Sequence, residues 1–155
     1  MAEIESTGFA RMRCREIMSS NVRTATRETS LSDVAAMMRD GDMGAVPVVD
    51  NGKLAGIVTD RDIVVRAVSE GKSADTPVGE VMTAELFTVA PDDFVFEAIR
   101  LMGDKQVRRV PVVSPDGSLA GIIAMADVAL ESEDELQIAE TLEEISTGSA
   151  FWSKQ

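Results

Sequence analysis

Apolar residues along this chain come in short runs of two kinds. Residues 45–49 (Ala-Val-Pro-Val-Val) and 54–59 form continuous apolar runs of strand length, joined by Asp50-Asn51-Gly52. Asn-Gly readily takes positive φ, so this segment predicts a tight hairpin. Residues 31–39 instead place Leu31, Val34, Ala35 and Met38 on one face, which predicts a helix capped by Ser30 or Thr29 and stopped by Gly41 and Gly44. Upstream, residues 14–18 read as a helical turn and the β-branched stretch 22–26 as a short strand. Downstream, a helix is expected over 60–69, closed by Gly71.

The pattern then repeats. Pro47 and Pro111 are 64 residues apart, as are Met18 and Met82, Thr24 and Thr88, and Met38 and Met102. Beyond the hairpin the step becomes 65, as from Gly56 to Gly121 and from Asp62 to Asp127, because the turn at 114–117 carries one more residue. The second copy is expected to have strands over 86–89, 107–113 and 119–124, a helix over 93–103, and another helix starting near Met125. Each copy reads β-α-β-β-α, an α/β (α+β) fold. A half of about 60 residues buries little core alone, so the halves are expected to pack with approximate two-fold symmetry, with a groove between them as the natural site. The expected organisation is a tail over 1–13, repeats over 14–70 and 78–130, a linker over 71–77, and an acidic helix and tail over 131–155.

Composition removes several functions. With no His and one Cys, imidazole bases, internal disulfides and Cys/His metal clusters are excluded. A formal charge of −12 argues against nucleic acid and anionic membrane as partners. No apolar run approaches a membrane span, and the first 15 residues do not resemble a secretion signal, so a cytoplasmic, bacterial-type soluble protein is expected. No nucleophile sits beside a base, and no P-loop or dinucleotide glycine motif is present, so catalysis is not expected. The nine Met read as core filler, and Cys14 as a small apolar residue.

The paired Val-Pro-Val-Val strands, the Leu-Ala-Gly-Ile return strands and the helices opening with Asp resemble a tandem pair of CBS domains, the Bateman module. The lead-ins Glu16-Ile17-Met18 and Glu80-Val81-Met82-Thr83 fit the same family, and the resemblance covers residues 14–128. It implies clefts for adenosine compounds such as AMP, ADP, ATP or S-adenosylmethionine as ligand, with no cofactor required. It implies that a Thr or Ser holds phosphate and an Asp three residues on holds ribose. Thr59 and Asp62 match in full. The second copy keeps Asp127 but has Ala124 in place of the Thr, which implies a degenerate site.

The family's base pockets cross between copies. This assigns Thr83, Ala84, Leu86, Val107, Arg108 and Arg109 to the Asp62 site, and Ser20, Val22, Met43 and Gly44 to the Asp127 site. Residue types alone leave a second reading open, in which Thr59 and Asp62 merely cap a helix and the arginines are surface charges. The resemblance further implies a homodimer through the helices 31–39 and 93–103. Residues 131–144 read as an acidic amphipathic helix with Leu136, Ala139, Leu142 and Ile145 three apart, and Phe151 and Trp152 as anchors for a second subunit or a protein partner. The expected function is a stand-alone regulatory sensor, with a ligand-free structural dimer as the alternative.

Overall fold

The computed structural model describes residues 11–131. The elements are α1 (Cys14–Ile17), α2 (Leu31–Gly41), β1 (Ala45–Asp50), β2 (Lys53–Thr59), α3 (Asp60–Ile63), α4 (Val95–Lys105), β3 (Arg109–Val113), β4 (Leu119–Ala124) and α5 (Met125–Glu131). A π turn (Val64–Val68) continues α3, and a 3₁₀ turn (Val78–Glu80) precedes the second copy. The mixture of short antiparallel sheets and helices is the α+β architecture expected. The acidic segment beyond 131, including Leu136, Phe151 and Trp152, lies outside the described residues.

Local chemistry accounts for most of these elements. Ser30 Oγ accepts the Asp33 N–H at 3.1 Å and starts α2. The β1–β2 hairpin turns through Asn51 (φ 52°) and Gly52 (φ 77°), both left-handed, so an Asn-Gly pair fits where a β-branched residue would be strained. The strands pair from Ala45↔Thr59 to Asp50↔Lys53, with a bulge between Val48 and Val49.

Several predicted elements differ. Both helices run two residues beyond their expected ends. α2 runs through Gly41 to a left-handed Asp42, and α4 runs through Gly103 to a left-handed Gln106, each cap N–H returning to a carbonyl of the last turn. The strands expected over 22–26 and 86–89 shrink to one bridging residue each. Ala25 pairs parallel with Val48, and Val89 with Val112. α4 starts at Val95 rather than 93, because Asp93 turns back to accept the Ala90 N–H at 2.8 Å. The helix expected over 60–69 is α-helical for only four residues before its π turn.

The chain divides into two compact units. Within the described residues, one unit holds 11–21, 87–115 and the chain from Ala120, and the other holds Val22–Leu86 with Asp116–Leu119. The units therefore exchange the lead-ins of the two sequence repeats. In the first, Cys14 is fully buried in a core with Val95, Ile99, Met102, Val110, Ile123 and Val128. The Cys14 N–H donates to the Asp93 carbonyl at 2.8 Å, the Val95 N–H to the Met12 carbonyl at 2.8 Å, and Arg15 pairs with Asp92. In the second, Val78, Val81 and Met82 join Leu31, Val34, Val46, Val48 and Val58. There the Val78 N–H donates to the Thr29 carbonyl at 2.8 Å. Met38, Met82, Met102 and Met125 are buried, in line with a core-filling role.

Each lead-in also adds an edge to its unit's sheet. Thr83 exchanges two hydrogen bonds with Ile57 (2.8 and 2.9 Å), and Ser19 exchanges two with Ile122 (2.9 and 3.0 Å). Glycines make this approach possible. A Cβ on Gly121 would sit 2.6 Å from the Ser19 carbonyl oxygen, and one on Gly56 2.8 Å from that of Thr83. These neighbours are backbone and yield poorly. Gly121→Ala is therefore expected to destabilise the protein by about 1–3 kcal/mol, read as a lower urea midpoint.

Burial, reinforced by the charges of Asp93 and Glu97, pushes the Cys14 thiol up from 9.0 to about 12. Alkylation of the native protein at pH 8 is expected to be slower than that of the unfolded chain by on the order of 10³, followed by mass spectrometry. Between pH 9 and 12 the folded state keeps a proton that the unfolded chain releases, so this thiol makes stability fall as pH rises through that window.

Among the described residues, the exposed large apolar side chains are Val64, Val65 and Val68 on the π turn, and Phe87 and Phe94.

Candidate ligand-binding site

β2 ends at Thr59, where the backbone is extended, and α3 begins at once. The two ends of this junction hold each other. Thr59 Oγ1 accepts the Asp62 N–H at 3.1 Å, and Asp62 Oδ2 accepts the Thr59 N–H at 2.9 Å. This reciprocal box satisfies donors that a helix start leaves open. The Asp60 N–H donates to the Gly44 carbonyl at 3.0 Å, which fixes the loop before β1 beside the same helix start.

The Asp62 side chain is only 15% exposed, and one oxygen remains for other work. Oδ1 accepts no hydrogen bond among the described residues; it is faced by Arg66 Nε at 3.8 Å. Arg66 Nη1 also donates to the Val81 and Met82 carbonyls, each at 3.3 Å. The next residue, Thr83, is half-buried and paired with Ile57, two positions before Thr59. One unit therefore gathers a threonine hydroxyl, a half-used carboxylate, a guanidinium and a second threonine. Of the other residues predicted for this site, Ala84 is exposed and Leu86 half-buried, both in this unit.

The second copy builds a weaker version. Asp127 Oδ2 accepts the Ala124 N–H at 3.1 Å, but Ala124 has no hydroxyl to return the bond. The Met125 N–H donates to the Arg108 carbonyl at 2.9 Å, the counterpart of the Asp60–Gly44 bond. Arg108 and Arg109 are exposed, Val107 is half-buried, and all three belong with Asp127 and Ser20. Val22, Met43 and Gly44 belong with Thr59 and Asp62. Gly44 and Arg108, expected on the base side of the opposite aspartate, are thus each hydrogen-bonded to the helix start of their own unit.

Sequence reasoning missed Arg66. Its signal was present: Arg66 stands four residues after Asp62, the spacing at which helical side chains of opposite charge meet. The corresponding position four residues after Asp127 is Glu131, a like charge. Among the described residues no group of three or more His, Cys, Asp or Glu converges as a metal site would require. No helix there is long and apolar enough to cross a membrane.

Two helix-opening aspartates, each following a hairpin of similar sequence, define a module built twice. A family model for the CBS domain matches residues 14–69 and 78–134, and the chain belongs to this family. It is 35% identical over 132 residues to the CBS domain-containing protein YhcV of Bacillus subtilis, covering 85% of this chain and 94% of that one. Among solved structures it is similar to the CBS domain pair of protein MJ0100 in complex with 5'-methylthioadenosine and S-adenosyl-L-methionine, at 27% identity and a TM-score of 0.69, over 77% of this chain and 94% of that one. It is likewise similar to CBSX2 in complex with AMP, at 26% identity and a TM-score of 0.69, over the same shares.

Proposed function

We propose that this protein is a regulatory CBS pair whose Thr59–Asp62 site takes an adenosine-containing ligand of the AMP, ADP or ATP class. Binding changes what a protein partner meets, and the working form is a homodimer. The observation that carries the reading is the Asp62 carboxylate. One oxygen is fixed by the Thr59 amide and the other stands open beside Arg66. A carboxylate held in this way accepts from a ribose hydroxyl at little further ordering cost. Thr59 and Arg66 supply a hydroxyl and a positive charge within the same unit. The adenosyl ligands named for MJ0100 and CBSX2 support this chemical class.

The Asp127 site lacks both the hydroxyl and the guanidinium at the matching positions, so it is the weaker of the two. The alternative, a ligand-free structural dimer, draws on the completeness of the Thr59–Asp62 box, which already serves as a helix cap.

A ligand that binds only the folded state must stabilise it. At about 100 times its dissociation constant the gain is about 2.7 kcal/mol. AMP, ADP or ATP in large excess is therefore expected to raise the melting temperature by about 5 °C or more. A flat response to all three, from protein shown to be folded, favours the ligand-free alternative.

A further inference from the structure

The geometry points to Arg66 as the positioning residue that couples the Asp62 carboxylate to the Val81–Thr83 edge of the sheet. A ligand on Asp62 is then felt by that edge.

Three observations converge on it. First, one guanidinium reaches both elements. Nε lies 3.8 Å from Asp62 Oδ1, and Nη1 reaches the carbonyls of Val81 and Met82 at 3.3 Å each. Arg is suited to this because its planar fork presents several donors in fixed relation. Second, the two elements form the two sides of the proposed site. Asp62 sits on α3, while Thr83 follows Met82 directly and pairs with Ile57 on β2. Third, Arg66 lies inside the π turn Val64–Val68, and such turns are frequent at functional sites.

The contacts are long and the arginine side chain is half-exposed, 49% against 15% for Asp62. An ion pair of this kind contributes little to global stability. Its consequence is directional instead. Oδ1 has Arg66 as its neighbour and no hydrogen bond among the described residues. A ribose hydroxyl donating to Oδ1 competes with Arg66 for its lone pairs, and Arg66 redistributes between Asp62 and the two carbonyls. In sequence the second copy has Glu131, a carboxylate rather than a guanidinium, at the matching position.

The inference rests on the proposed nucleotide site for its ligand arm alone, because the link is already present in the unliganded protein. The test is amide hydrogen exchange, resolved at Ile57 and Thr83, in wild type, Arg66→Met, Asp62→Asn and the double variant. Asp62→Asn keeps an acceptor for the Thr59 amide and removes the charge. Each single change is expected to speed exchange at these two amides by about threefold, and the double variant no more than either single one. Exchange at Val110, Val112 and Ile123, in the other unit, stays unchanged.

Additive effects, or acceleration spread evenly over both units, overturn the link and leave Arg66 a packing residue. In the second arm AMP is the probe. AMP is expected to protect Ile57 and Thr83 in wild type, and to bind Arg66→Met more weakly without protecting them. Binding with equal protection in Arg66→Met overturns the inference. Absence of AMP binding to wild type counts against the nucleotide reading only, and the unliganded cycle still decides the role of Arg66.

Discussion

Replacing Ile99 with alanine is expected to lower stability by about 3–4 kcal/mol, a melting temperature drop of about 10 °C. Ile99 is 1% exposed and sits on α4 against Cys14, Val110, Val112, Ile123 and Val128. Removing three carbons there forfeits their transfer free energy and leaves a cavity that β3, β4 and α4 cannot close without moving. Urea unfolding measures it: the midpoint falls while the slope stays constant. The exposed neighbour Arg100, whose guanidinium lies 4.7 Å from the Phe96 ring, is the control. Its alanine variant stays within about 1 kcal/mol of wild type.

The second large effect is on binding. Asp62→Ala is expected to weaken an adenosine ligand by about 100-fold or more. The variant removes the acceptor for ribose and leaves Arg66 without its anion, and charge-assisted hydrogen bonds are worth about 1.5–3 kcal/mol each. Because Asp62 also closes the helix cap with Thr59, the variant costs about 1 kcal/mol of stability as well. Thr59→Ala shares the stability cost and loses its hydroxyl but keeps the carboxylate, so it is expected to weaken binding less than Asp62→Ala.

The repeat made much of the fold legible. A hairpin at Asn51-Gly52, the strands around Pro47 and Pro111 and the helix start at Ser30 all follow from local residue preferences, and the structure has them in place. The residue pattern alone did not carry the exchange of lead-ins, although the resemblance set Thr83 with Asp62 and Ser20 with Asp127. Cys14 and Val78 occupy corresponding positions at the heads of their repeats, and both are apolar. The pattern is therefore the same whichever core each one enters. What decides the matter is a set of backbone hydrogen bonds, such as those of Cys14 with Asp93 and Val78 with Thr29, which no side-chain pattern records.

The helix stops were misread for a related reason. Gly41 and Gly44 looked like terminators, but the left-handed residue that ends the helix is Asp42, with Gln106 its counterpart after α4, and both adopt that conformation at modest cost. The π turn was hidden because apolar residues at 63, 64, 65, 67 and 68 suit a continuing α-helix equally well.

Within the candidate site, Thr59 and Asp62 were visible because the repeat aligned Asp62 with Asp127 and set Thr59 against Ala124. Their mutual hydrogen bonds follow from a three-residue spacing at a helix start. The part played by Arg66 was not visible. Its bonds to the Val81 and Met82 carbonyls join residues 15 and 16 positions apart, and they exist only because the lead-in lies beside β2.

The central claim is that Asp62, and not Asp127, anchors an adenosine ligand. Calorimetric titration of AMP into wild type, Asp62→Ala and Asp127→Ala tests it most directly. The account expects binding to wild type, nearly unchanged binding to Asp127→Ala, and loss of the heat in Asp62→Ala. Retained binding in Asp62→Ala together with loss in Asp127→Ala would contradict it.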